Sequence, residues 1–257
     1  MIAKPKKIKA DVAIVESGLA PDIDHARALI SCGLVFLGDK KITANSSVDQ
    51  NELSASGFRI KNSKTYVSRG AIKLKTVFDE FDLNVNGFRC MDVGASTGGF
   101  TQVLIDKGAE IVFAVDVGKN ILDYKLRVDP KVVVMEGVNA RLMDDDKTVT
   151  SKVERESLDL AVFDLSFISL KLVVPKVLSF IKKEGLVIPL VKPQFEVSQD
   201  KVEKGGVVRD PKVIDDLIAE MRSFFEGLGL CVKDIVPSQL KGPSGNQEYF
   251  FVCLKRG

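Results

Sequence analysis

Asp92-Val93-Gly94-Ala95-Ser96-Thr97-Gly98-Gly99-Phe100 joins the apolar strand run Cys90–Val93 to a helical segment at Thr101–Lys107. Glycines there permit positive φ and let a ligand approach the backbone closely. A strand that ends in such a loop and opens a helix is the first unit of an α/β sheet that binds a nucleoside. The spacing is not GxGxxG and lacks a Gly-Lys-Ser/Thr ending, so neither a dinucleotide fingerprint nor a phosphate-binding loop fits. Asp116 ends the next strand, where a carboxylate accepts hydrogen bonds from both ribose hydroxyls of a nucleoside cofactor. Asp92 is placed to act on the cofactor's other end, through water or a backbone amide. Asn139, after the third strand, is placed to meet an adenine edge. A glycine turn that only lets a helix pack on the sheet is the plain alternative. The coincidence of strand, loop, helix and second-strand acid argues against it.

Working outward, apolar strand runs recur at Ile111–Val115, Val132–Met135, Leu158–Phe163, Leu186–Val191, Cys231–Val236 and Tyr249–Leu254. Helical segments lie between them, notably Leu170–Ile181 and Pro211–Leu228. This alternation predicts a mostly parallel seven-stranded α/β sheet covered on both faces. The last two strands are joined by a loop without a helix, so the final strand should run antiparallel to its neighbour. Together with Gly94 to Phe100 and Asp116, this pattern resembles the Rossmann-like class I methyltransferases. That resemblance implies S-adenosylmethionine as cofactor, bound by Asp92, Gly94, Ala95, Ser96, Thr97, Gly98, Gly99, Phe100, Asp116, Asn139 and Asp164.

The first 60 residues read differently. Helical patterns at 11–30, split by Gly18-Leu19-Ala20-Pro21, precede the strand-like Leu34–Leu37 and a turn at Gly38-Asp39. Asp22 or Asp24 can cap the second helix. The arrangement resembles the S4 RNA-binding module, a small α+β domain, with a plain helical hairpin as the bland alternative. Domains are expected at 1–63 and 64–257, with a polar linker over 58–66. Residues 1–63 hold nine basic and seven acidic side chains, and the whole chain has a formal net charge of +2. Charge therefore gives no global nucleic-acid signature. The local excess at Lys4, Lys6, Lys7 and Lys9 reads first as a solvated tail. With the S4 resemblance, these lysines, Arg27 and Arg69 become the expected RNA contacts.

Leu190-Val191-Lys192-Pro193-Gln194-Phe195-Glu196 presents a lysine where an apolar strand stops. Ser68-Arg69-Gly70-Ala71-Ile72-Lys73, Asp164 after its strand, and Glu248 in Gly245-Asn246-Gln247-Glu248-Tyr249 look built to meet it. A ribose 2′-hydroxyl is a poor nucleophile while protonated. A lysine serves as its base only if desolvation or a second cation lowers the lysine's pKa. Lys73 beside Lys192 is expected to do so, with Asp164 and Glu248 orienting the two. For each residue alone, an ordinary surface ion pair is the simpler reading.

These segments, together with Asp164-Leu165-Ser166-Phe167-Ile168-Ser169-Leu170, Gly205-Gly206-Val207-Val208 and Gly242-Pro243-Ser244-Gly245-Asn246, resemble the TlyA-type proteins along essentially the whole chain. That family, historically called hemolysin A, fuses an S4 module to an FtsJ-like 2′-O-methyltransferase domain. The resemblance implies a catalytic tetrad of Lys73, Asp164, Lys192 and Glu248. It also implies methylation of a cytidine ribose in ribosomal RNA within a ribosomal subunit. The chain stops at Lys255-Arg256-Gly257, as in the shorter type associated with the large subunit.

Two other functions compete with this one. A cytolysin needs a spanning helix, a barrel-forming segment or an exposed amphipathic helix, and no such segment stands out. A catalytically inactive RNA-binding protein would not need both the glycine loop and the complete tetrad. No metal is expected, since the sole histidine, His25, sits in the small N-terminal domain and the sequence shows no His/Cys cluster. Cys32, Cys90, Cys231 and Cys253 show no CxxC spacing and read as reduced residues of a cytoplasmic protein. No membrane association is expected, and the expected state is a monomer.

Overall fold

Apolar runs of four to six residues, all but the last two separated by helices, fold, in the computed structural model, into a sheet of seven strands. The structure describes residues 7–20, 22–31, 33–44, 46–49, 53, 57–60 and 66–256. By internal packing the chain divides into two units, 1–69 and 70–257.

The first unit carries helices at Ala10–Glu16 and Ile23–Ser31. Its short strands are β1 (Lys7–Lys9), β2 (Val35–Leu37), β3 (Lys40–Lys41), β4 (Ser47–Asp49) and β5 (Phe58–Ile60). Asp22 caps the second helix by accepting from the His25 amide at 2.8 Å. Ala13, Ile14, Ala26, Leu29, Val35 and Val48 form a separate small core. Lys7 and Lys9 are not a loose tail, because β1 pairs with β4. Strand β5, inside the stretch read as linker, pairs with β2. Residues 61–65 of that linker, with Lys4, Lys6 and Cys32, lie outside the described residues.

In the second unit the strands are β6 (Arg89–Val93), β7 (Ile111–Asp116), β8 (Val132–Glu136), β9 (Leu158–Phe163), β10 (Ile181–Val191), β11 (Leu230–Pro237) and β12 (Tyr249–Lys255). Their spatial order is β11-β12-β10-β9-β6-β7-β8. Strands β6 to β10 pair in parallel, and β12 runs antiparallel to both β10 and β11. The order reverses between β6 and β9, which opens a crevice at their carboxyl ends, the position where such sheets bind ligands. Met91, Val93, Phe163, Phe180, Val191, Phe225 and Phe251 belong to the buried core of this sheet. Cys90 and Cys253 are buried free thiols, and loss of solvation pushes both thiols up, Cys253 to about 12.

Strand β10 begins five residues before the expected Leu186. Lys182, Lys183 and Glu184 disguise that extension as a polar loop, and its register against β9 shifts between Ile181 and Leu186. The expected helix over Leu170–Ile181 ends at Val177, followed by a 3-10 turn to Phe180. A helix at Gly70–Phe81, where the sequence shows only the motif around Lys73, buries Ala71, Lys73, Leu74, Val77 and Phe78. Its lysine occupies a core-facing position, which hides the helical period from a reading of apolar residues.

Candidate active site

Gly94 is where the cofactor loop leaves β6, at φ +86°. A Cβ there would meet the backbone oxygen of Asp164 at 2.8 Å. The Asp164 amide, in turn, donates to the Val93 carbonyl at 3.1 Å. Glycine at 94 therefore lets the loop after β6 lie directly against the segment after β9. The amides of Gly94 and Ala95 donate to the Val115 carbonyl. Ser96 and Gly98 both take positive φ. Gly98 packs against Leu122 and Leu126, leaving no room for a Cβ. Gly99, Phe100 and Thr101 are the buried start of the helix Gly99–Asp106, and the Thr97 carbonyl accepts from the Asp123 amide.

Asp92 is fully buried, and its Oδ2 accepts from the Thr101 amide at 2.8 Å and the Thr101 hydroxyl at 2.7 Å. It anchors the helix that follows the loop. Desolvation pushes its carboxyl up to about 7 in spite of the Thr101 bonds.

The carboxylate of Asp116 binds the loop itself. One oxygen accepts from the Ser96 amide at 2.8 Å and the other from the Gly118 amide at 2.7 Å. Asn139 is exposed, and its side-chain oxygen caps the turn Ala140–Leu142 by accepting from the Arg141 amide. Beside them stand Val117, Ile121 and Leu142, exposed apolar side chains at the carboxyl edge of β7 and β8. An acid flanked by uncovered apolar side chains, next to a glycine loop, fits a nucleoside with its purine between the apolar groups.

Glu136, at the end of β8, does not stand out in the sequence. It accepts from the amides of Asn120, Ile121 and Leu122 and, at 2.6 Å, from the Arg127 guanidinium. Desolvation works to raise its carboxyl, but these donors outweigh it and bring it down to about 2. The signal that could have found it is its place as a second acid at a strand end, one strand over from Asp116.

The expected tetrad appears as two ion pairs. Lys73 Nζ lies 2.6 Å from Glu248 Oε2, with both side chains buried. Lys192 Nζ lies 2.6 Å from Asp164 Oδ1 as an ion pair and donates a hydrogen bond to the Ser166 hydroxyl at 3.0 Å. Val191 pairs with Tyr249 across the β10–β12 ladder. One further step along that antiparallel register sets Lys192 opposite Glu248, on the same face. The four residues thus come from one helix face, two strand ends and the start of a third strand.

Two more contacts fix this arrangement, and neither was evident in the sequence. Glu196 accepts from the Ser169 hydroxyl at 2.6 Å and the Leu170 amide at 2.8 Å, tying the segment after Lys192 to the segment after Asp164. Gly242 lies against Glu248, and a Cβ there would stand 2.5 Å from Oε1. At the rim, Phe167 takes φ +64° and is 90% exposed, with its ring 5.2 Å from that of Phe195.

The residues expected to meet RNA are less uniform. Lys7 and Lys9 are both exposed on their strand. Arg27 bonds Asp11 at 2.8 Å while staying largely exposed. That bond holds the Asp11 carboxyl below the usual range. Arg69 is half-buried just before the helix Gly70–Phe81.

Residues 66–256 match the family model of the FtsJ-like methyltransferases. The 16S/23S rRNA (cytidine-2′-O)-methyltransferase TlyA of Mycobacterium tuberculosis is 39% identical over 95% of this chain and 89% of its own length. The 23S rRNA (cytidine-2′-O)-methyltransferase TlyA of Campylobacter jejuni is 37% identical over 75% of this chain and 72% of its own. A solved structure from Streptococcus thermophilus, described as a hemolysin, is 32% identical with a TM-score of 0.72, covering 99% of this chain and 90% of that one. Among the described residues, no helix is long and apolar enough to cross a membrane. The chain belongs to the FtsJ-like methyltransferase family.

Proposed function

We propose that the protein transfers the methyl group of S-adenosylmethionine to the ribose 2′-hydroxyl of a cytidine in large-subunit ribosomal RNA. Residues 64–257 carry the chemistry and residues 1–63 serve as an S4-like RNA-binding module. The protein acts in the cytoplasm as a monomer. The observation that carries this reading is the pair of ion pairs, Lys73–Glu248 and Lys192–Asp164, set beside the glycine loop at the carboxyl edge of the sheet. The descriptions of both relatives carry a cytidine 2′-oxygen, which supports the choice of atom. The Campylobacter jejuni description names 23S RNA alone, which supports the choice of subunit, while the Mycobacterium tuberculosis one names 16S and 23S RNA together.

When bound, S-adenosylmethionine supplies an electrophilic methyl group on a sulfonium. Gly94 to Phe100 hold its amino-acid end and Asp116 its ribose, with Asn139 near the adenine. Lys192 Nζ, held by Asp164 and Ser166, would take the 2′-hydroxyl proton only after releasing one of its own to solvent, and otherwise guides that proton outward. Lys73 and Glu248 would help to hold the ribose in the orientation that an in-line displacement needs. The exposed Phe167 offers a ring face for an unpaired base, the form in which RNA is read outside helices.

The test supplies labelled S-adenosylmethionine and the purified protein to ribosomal subunits from a strain lacking this gene. The modified position is then mapped by mass spectrometry. Label on a cytidine ribose of 23S RNA is expected. Label on a base, or in neither subunit, would contradict the reading.

A further inference from the structure

A cavity of about 580 Å³ opens on the opposite face of β12 from Glu248, between the loop ending at Arg209, the first turns of the helix Pro211–Gly227, and the segment Lys241–Tyr249. We propose that it is a second nucleotide subsite, which holds an unpaired ribonucleotide adjoining the methylated one in the substrate RNA. The proposal rests on the methyl-transfer reading above and extends it to a second position on the RNA.

Three observations carry it. The first is position. Glu248 and Tyr249 are consecutive, so their side chains leave the strand on opposite faces. Tyr249 pairs with Val191, the residue before Lys192. The cavity therefore begins one residue along the chain from Glu248, at the end of β12 where the tetrad gathers.

The second is chemistry. Tyr249 contributes a half-buried ring, and Arg209 and Lys241 bring two cations to the same walls. Arg209 is placed at the rim by an ion pair with Glu203. An aromatic face with cations beside it is how single-stranded RNA is held without a helix to read. Asp215, close enough to Tyr249 for its charge to act on the phenol, repels phosphate, which leaves that side of the cavity to a base edge. The volume lies within the range of roughly 300–1,000 Å³ typical of small-ligand pockets.

The third is construction. Asn246 is 2% exposed and clamps the two loops that frame the cavity. Its Oδ1 accepts from the Val208 amide at 2.8 Å and its amide donates to the Gly206 carbonyl at 2.7 Å. Gly205, Gly206 and Gly245 all take positive φ in those loops. The walls are thereby set before any ligand arrives.

The test measures steady-state methyl transfer to isolated large subunits by wild type, Tyr249→Leu, Tyr249→Phe and Arg209→Gln/Lys241→Gln. Leucine preserves an apolar contact with the core but removes the ring. Tyr249→Leu should raise KM for the subunit about tenfold, with kcat within twofold and S-adenosylmethionine affinity unchanged. Tyr249→Phe should stay near wild type. The double surface variant, which leaves the core intact, should raise KM and flatten its log–log salt dependence by roughly 0.7 for each phosphate it no longer neutralises. Wild-type KM in both Tyr249→Leu and the double variant, alongside active wild type, overturns the subsite and leaves the methyl-transfer reading standing. A wild type that methylates no ribosomal RNA overturns both.

Discussion

Lys73 and Glu248 stand 175 residues apart in sequence and 2.6 Å apart in space, at 7% and 0% exposure. A buried pair of this kind costs most when only one partner is removed, because the other charge is left without compensation. Lys73→Ala and Glu248→Ala should each lower unfolding stability by about 3–5 kcal/mol. Lys73→Met/Glu248→Leu should recover most of that stability while methyl transfer stays abolished. Urea titrations of the three variants check this. Single variants within about 1 kcal/mol of wild type, the range of an exposed pair, would show that the pair is solvated and not part of an enclosed site.

Gly242 positions Glu248 by having no side chain. The Cβ of Gly242→Ala would lie 2.5 Å from Glu248 Oε1 and push the carboxylate off Lys73. Methyl transfer should fall at least tenfold with cofactor affinity intact. Shortening the acid makes room, so Gly242→Ala in a Glu248→Asp background should cost little beyond Glu248→Asp alone. Additive effects in this cycle would show that the two positions are not coupled.

Cofactor affinity should depend on Asp116 twice over, through the ribose and through the Ser96 and Gly118 amides that it holds. A hydrogen bond to a charged group contributes roughly 1.5–3 kcal/mol, so Asp116→Ala should weaken S-adenosylmethionine binding at least tenfold by calorimetry. Gly94→Val should weaken it as well, because its side chain meets the Asp164 carbonyl. Unchanged affinity in Asp116→Ala would place the ribose elsewhere.

Asp92 links stability to pH. Its carboxyl is raised from 3.8 to about 7 on folding, chiefly by desolvation. Below about pH 4 both folded and unfolded chains carry the proton. Between about pH 4 and 7 only the folded chain keeps it, so this contribution to stability is lost as pH rises and is gone above about 7. Asp92→Asn, which keeps an acceptor for Thr101, should flatten that decline by an amount on the order of a few kcal/mol. Urea midpoints taken across this pH range give the comparison. The same slope in the variant would rule out Asp92 as its source.

Much of this was legible in the sequence because the signals are local. The strand before Gly94, the loop itself and the strand-end acid Asp116 form a contiguous pattern, and Pro193 fixes Lys192 at a strand end. The antiparallel last strand followed from a connection too short to hold a crossover helix. What escaped were roles set by long-range packing. Glu136 organises the loop Asn120–Leu122 from sixteen to fourteen residues away. Gly242 matters only through a carboxylate that folds back on it. Lys73 masks its own helix by placing a charge on the buried face. Lys7 and Lys9 looked like a tail because their partner strand at Ser47–Asp49 has no sequence signal beyond three short-side-chain or β-branched residues.

In the proposed reaction Lys192, held by Asp164 at 2.6 Å and Ser166 at 3.0 Å, handles the proton of the ribose hydroxyl. Single-turnover methyl transfer at saturating cofactor, compared between wild type, Lys192→Ala and Lys192→Arg, tests it most directly. Both variants should bind S-adenosylmethionine within a few-fold of wild type and transfer no methyl group, because a guanidinium keeps its charge and cannot act as a base near neutral pH. An arginine variant that turns over near the wild-type rate would contradict proton handling by Lys192 and leave it an electrostatic role only.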